Sequence, residues 1–113
     1  MTVKKERIES IIKREIANSI QNKLNDKSLS FATITDVEVT NDFSFATIFI
    51  SFFDEKDKVP GIEALEKAKG LLRTDVSRAL STRRTPELIF KLDESAEYGS
   101  HIDSILEDLN NKK

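Results

Sequence analysis

At 113 residues the chain has the length of one domain, and a core of that size can form without covalent staples. With no Cys and one His, it holds no disulfide framework, no thiolate nucleophile, no Cys-ligated zinc and no histidine-rich metal site. Lys+Arg 18 against Asp+Glu 20 leaves a net charge of -2, but residues 1–30 and 63–91 each carry seven basic and four acidic side chains, whereas 31–62 and 92–113 each carry two and six. Local potential and not net charge governs binding, so an acidic total does not exclude a polyanionic partner.

The opening MTVKKERIES is charged and leads into an amphipathic helix where a secretory signal would have an apolar h-region. No stretch approaches the ~20 apolar residues of a membrane span, so a soluble, cytoplasmic protein is expected. From Val3 to about Leu24, Ile8, Ile11, Ile12, Ile16, Ile20 and Leu24 recur at three- and four-residue steps, predicting a helix with one buried stripe. Arg7, Arg14, Asn18, Gln21 and Asn25 fall on the opposite side. Asn25-Asp26-Lys27-Ser28 favours a turn. Phe31–Thr40 is rich in β-branched residues, with Val37 and Val39 alternating against Asp36 and Glu38, and reads as a strand with one wet face. After the turn Thr40-Asn41-Asp42-Phe43, a second strand over Phe45–Phe53 places Ala46, Ile48, Ile50 and Phe52 on one face and Phe45, Thr47, Phe49, Ser51 and Phe53 on the other. The two strands form an antiparallel hairpin.

Pro60 and Gly61 open a helical stretch to about Leu80, with Ile62, Leu65, Leu72, Val76 and Leu80 inward. Gly70 lies inside it and predicts a kink or a helix-to-helix break. Thr85-Pro86 ends the stretch, Glu87–Leu92 reads as a third strand, and a last helix carries Ile102, Ile105, Leu106 and Leu109. The order is α-β-β-α-α-β-α: a single α+β domain over residues 1–109, with 110–113 frayed. The helical crossover from Phe53 to Glu87 requires the third strand to lie parallel to a partner, giving a mixed three-stranded sheet with helices on one face.

Little in the sequence frames catalysis. His101 has no Cys partner and no surrounding nucleophile or metal motif; beside Gly99 and Ser100 it reads as a solvated or cap-associated imidazole. Asp54, Glu55 and Asp57 lack calcium-loop spacing, and Asp93 with Glu94 reads as a turn. Phe45, Phe49 and Phe53 invite comparison with base-stacking sheets, but the basic-Gly-aromatic pattern is missing, so the rings are expected in the core or as a patch under the terminal helix. The segment Lys67–Arg84 is more suggestive. Lys67, Lys69, Arg73, Arg78, Arg83 and Arg84 lie on or just after a helix pair interrupted by Gly70, where helix-start amides beside cations bind phosphate oxygens and a glycine admits a sugar-phosphate backbone. The alternative is a solvated helix face with Gly70 kept for packing.

Arg7-Ile8 and Glu15-Ile16, Val37-Glu38-Val39-Thr40-Asn41-Asp42-Phe43, Ala46-Thr47-Ile48-Phe49-Ile50-Ser51, Ala68-Lys69-Gly70-Leu71-Leu72-Arg73, and Arg84-Thr85-Pro86-Glu87-Leu88-Ile89-Phe90 leading through Asp93 and Ser95 to Gly99 run through nearly the whole chain. In this order the sequence resembles the ribosome-binding factor A family, small KH-like proteins of bacteria and organelles. The resemblance implies a type II KH fold in which Ala68-Lys69-Gly70 replaces the usual Gly-x-x-Gly loop. It implies association with the free small (30S) ribosomal subunit and its 16S rRNA during late maturation and rRNA processing, without turnover, and with most importance in the cold. Lys69, Gly70 and Arg73 inherit the expected rRNA contact most directly, with Lys67, Ala68, Arg78, Arg83 and Arg84 around them. Lys4, Lys5, Arg7 and Arg14 join on charge alone. No cofactor and no membrane partner are expected, and a monomer is the expected state. The reading from another class is a protein-interaction module that recruits a ribosomal protein or GTPase through the hairpin edge or the Phe face.

Overall fold

The computed structural model describes residues 2–80 and 84–94. The first helix, α1 (Thr2–Asn22), buries Ile8, Ile12, Ile16 and Ile20, one residue per turn, and leaves Arg7, Arg14, Asn18 and Gln21 exposed. The expected turn follows as a single 3-10 turn over Lys27–Leu29, capped by the Asp26 carboxylate, which accepts from the Ser28 amide at 2.9 Å. That cap delivers Leu29 into the core.

Strands β1 (Ala32–Val39) and β2 (Phe45–Phe52) pair antiparallel from Ala32 opposite Phe52 to Val39 opposite Ala46. A bulge between Ile34 and Asp36 inserts one unpaired residue, which brings Ile34 and Val37 to the same buried face despite their odd spacing. At the hairpin turn the Thr40 hydroxyl accepts from the Ser44 and Phe45 amides, each at 3.1 Å. Phe43 closes the turn at φ 60, a conformation that costs roughly 1–2 kcal/mol for a residue with a Cβ; its ring packs against the core in return.

Helix α2 (Lys58–Lys67) carries Pro60 in its first turn, where a missing amide hydrogen is least costly. Gly61 is buried against the Phe52 ring, which a Cβ at that position would strike. Helix α3 (Lys69–Ala79) follows after one residue, Ala68, at φ -91 and ψ 5. The interruption therefore sits at Ala68 and not at Gly70. Gly70 keeps helical backbone as the second residue of α3, because a glycine weakens a helix without breaking it when its φ and ψ stay helical. Leu65 before the break and Leu72 after it are both fully buried, so each helix keeps an apolar side on the core.

Strand β3 (Glu87–Leu92) lies parallel to β2, Phe45 opposite Glu87 and Ile50 opposite Leu92, which gives the mixed sheet order β1-β2-β3. Its inward Leu88 and Phe90 complete one core with Ala46, Ile48, Ile50, the α1 isoleucines, Leu65, Leu72, Val76 and Leu80. Between α1 and α3 runs a buried polar link: Asp75 accepts from the Ser19 hydroxyl at 2.6 Å and from the Lys23 ammonium at 2.8 Å. On the outer sheet face Phe45 is 45% and Phe53 83% exposed and Phe49 is half-buried, so the core alternative fails for Phe45 and Phe53, while the alternative of a patch under the terminal helix falls outside the described residues. Strand alternation explains this: these odd-numbered residues point away from the layer that α1 and α3 fill. The expected last helix and His101 lie outside the described residues.

Candidate nucleic-acid interface

On α3 the inward positions Leu72, Asp75 and Val76 leave Gly70, Arg73, Thr74, Ser77 and Arg78 facing outward, as three- and four-residue helical spacing dictates. With Arg84 and Thr85 from the segment before β3, these residues line a groove of about 470 Å³. Arg73 donates from Nη2 to the Thr85 carbonyl at 3.0 Å, which pins the guanidinium along the groove and engages one of its five N–H donors. A Cβ added at Gly70 would meet nothing within 4 Å. Packing therefore gives no reason for a glycine here, whereas an approaching backbone would. No side chain caps the start of α3.

Arg84 also lines an adjoining cavity of about 200 Å³ with Lys4, Ile8, Asp42, Phe43, Leu80 and Pro86. Through it the start of α1 joins the α3 surface, and Lys4 Nζ stands 5.8 Å from the Phe43 ring centroid. Asp42 is the acidic residue among those lining the two cavities. Its carboxyl is held below the ordinary value by hydrogen bonds from Ser44 and Thr40.

The other expected cations are dispersed. Lys69 does not line the groove: its Nζ pairs with Glu66 at 2.8 Å and lies 5.7 Å from the Phe90 ring centroid. Adjacent helical residues are about 100° apart, so Lys69 and Gly70 face different ways. Lys67 is exposed at the end of α2, close enough to Asp26 to lower its pKa slightly after the two Ser28 hydrogen bonds. Ala68 is the half-buried residue of the break. Lys5 donates to Asn41 Oδ1 at 3.3 Å, Arg14 Nε lies 3.8 Å from Glu15, and Arg7 is exposed on α1. Arg83 lies outside the described residues. Sequence reasoning missed Thr74, Ser77 and Thr85, whose hydroxyls sit among the arginines; their helical spacing from Gly70 was the available signal for the first two.

The sequence model of the ribosome-binding factor A family matches residues 4–106. This chain belongs to the ribosome-binding factor A family. A ribosome-binding factor A of Desulforamulus reducens is 40% identical over 114 residues, covering 100% of this chain and 95% of its own. The crystal structure of ribosome-binding factor A from Thermus thermophilus superposes with a TM-score of 0.70 at 30% identity, over 78% of this chain and 94% of that one. A homology model of the Thermus thermophilus factor, fitted into the cryo-EM map of a complex of that factor with 30S, gives a TM-score of 0.67 at 28% identity, over 78% and 93% of the two chains. As a member of that family, the chain carries the order α-β-β-α-α-β through its described residues, with Ala68-Lys69-Gly70 at the helix junction. Among these residues no group of three or more His, Cys, Asp or Glu could hold a metal ion, and no helix is long and apolar enough to cross a membrane.

Proposed function

We propose that this chain is a small-subunit assembly factor: it binds the free 30S subunit through phosphates of 16S rRNA during late maturation and rRNA processing, in the cytoplasm, as a single-domain monomer without catalytic turnover or cofactor. It holds an immature arrangement of the rRNA until folding is complete, a task most needed in the cold, when misfolded RNA helices are hardest to melt. The observation that carries this reading is the joined cavity surface on which Arg73, Arg78, Arg84 and Lys4 meet beside an unobstructed Gly70. Arginine forks and hydroxyls suit phosphate oxygens, and no aromatic side chain lines the groove to stack a splayed base, so position on the subunit would outweigh base reading. The fit of the Thermus thermophilus factor into a 30S complex supports the same partner here. The hairpin-edge version of the protein-recruitment reading is less favoured: the Val37 amide donates to Asp36 at 2.9 Å and the Val39 amide to Glu9 at 2.8 Å, so two amides at the Val39 end of β1 are already engaged.

The test is co-sedimentation of Arg73→Gln with Arg84→Gln against wild type, with purified small subunits at several salt concentrations. Wild-type affinity should fall with salt by about 0.7–0.9 log units per log unit for each phosphate neutralised, and the double variant should bind more weakly with a shallower slope. Both residues border solvent, so thermal melting should change little. Unchanged co-sedimentation overturns the reading.

A further inference from the structure

On the side of the sheet away from α1 and α3, strand pairing sets rings and charges in rows. Phe49 stands between Asp36 and Lys91, Thr47 between Glu38 and Ile89, and Phe45 opposite Glu87. Phe45, Phe49 and Phe53 therefore run along the middle of this face as an apolar spine, about 26 Å long at ~3.3 Å per residue. At one end of it Phe31 is 69% and Phe53 83% exposed, with ring centroids 6.2 Å apart at 56°. With Ser30, Thr33 and Ser51 the two rings border an open cleft of about 460 Å³. Neighbouring rings left in water beside a cleft mark an interaction surface.

The charges say what that surface receives. Among the described residues of this face the exposed carboxylates of Asp36, Glu38 and Glu87 stand against the single ammonium of Lys91. Nucleic-acid bases could stack on the rings, but every nucleotide also brings a negative charge, which this face repels. A polypeptide that sets lysines or arginines beside apolar side chains meets both features: the spine takes the apolar groups, and the carboxylates and ring faces take the cations. At 1.5 Å per residue the spine matches about 18 residues of α-helix. We infer that the outer face of the sheet is a second binding surface, for a basic amphipathic segment of another protein. Its apolar side chains would lie on Phe31, Phe49 and Phe53, and its cations toward Asp36 and Glu38. The molecule then sorts its partners by charge, phosphates at the α3 groove and cationic polypeptide on the sheet. This inference does not depend on the rRNA partner.

The probes are a helical peptide of leucines and lysines about 18 residues long, its counterpart with glutamates in place of the lysines, and a short single-stranded oligouridylate. Each is titrated into the isotope-enriched full-length protein. The lysine peptide should shift the amide signals of Thr33, Phe49 and Ser51 and leave those of Gly70 and Arg73 in place. Phe31→Ala with Phe53→Ala should weaken its binding about tenfold or more, and Glu38→Lys about two- to fivefold. These three side chains are exposed, so thermal melting should change little. Equal affinity for the glutamate peptide removes the charge argument, and shifts of the same amides by the oligouridylate make the face a nucleic-acid surface. Shifts that follow protein concentration alone make a second copy the occupant. Any of these results, unshifted amides with the lysine peptide, or variants that bind it as wild type does overturn the inference.

Discussion

Gly70→Ala separates stability from binding in a single methyl group. Gly70 has helical backbone and open space around its missing Cβ, so alanine fits without strain and removes conformational freedom from the unfolded chain. The gain is about 0.5–1 kcal/mol, toward the lower end because the residue is in the first turn of α3. At roughly 2.1 cal/mol/K of unfolding entropy per residue, 113 residues give about 240 cal/mol/K, so Tm should rise by about 2–4 °C. The same methyl projects toward the groove where an rRNA backbone would lie. If it displaces that backbone at a cost like that of overpacking, about 1–3 kcal/mol, subunit Kd rises roughly five- to 140-fold. Thermal melting and small-subunit co-sedimentation on one preparation read both quantities. A lower Tm refutes the claim that packing does not need this glycine, and undiminished subunit binding refutes the claim that a ligand does.

The buried link between α1 and α3 predicts an acid limb in stability. The Lys23 hydrogen bond first, and the Ser19 hydroxyl second, hold the Asp75 carboxyl below its ordinary 3.8 against the opposing effect of burial. The unfolded chain therefore binds the proton first: the contribution is complete above 3.8 and is lost as pH falls through the lower folded value, so urea midpoints across that range should drop more steeply for wild type than for Asp75→Asn. Gly61→Ala should go the opposite way from Gly70→Ala, because its Cβ strikes the Phe52 ring; a loss of about 1–3 kcal/mol in urea unfolding, partly recovered by Phe52→Leu, is expected.

Through the described residues the helix and strand order was legible because α1 and the two hairpin strands each have an unambiguous period. The four α1 isoleucines and the Val37–Val39 alternation allow one orientation each, and the structure buries those residues. The bulge at Thr35 was not legible, because no glycine or proline marks it; only the need to bury both Ile34 and Val37 does. The helix break was assigned to the residue with the weakest propensity, but Ala68 bends while Gly70 remains helical, since tertiary packing of Leu65 and Leu72 decides where the bend falls. Within the candidate site, Gly70, Arg73, Arg78 and Arg84 do share one surface, and Lys69 does not. A basic segment says how many cations are present and not which of them face the same way.

The sign of the groove depends on where carboxylates go as much as on where arginines gather. The acidic residue of α3 is Asp75, which falls between Arg73 and Arg78 in sequence and on an exposed face would neutralise much of their field. Helical spacing turns it inward instead, where Ser19 and Lys23 satisfy it; Lys23 follows directly after α1 and spends its charge there. At the helix junction Glu66 is matched by Lys69, so the pair adds little net potential beside Gly70. The α3 residues that line the groove are Gly70 and otherwise cationic or hydroxylic, and Arg84 extends that surface to Lys4. A chain with net charge -2 can thus present a basic groove: among the described residues Asp42 is the one carboxylate beside it, Asp36 and Glu38 lie on the exposed side of β1, and the one inside α3 is buried against a lysine.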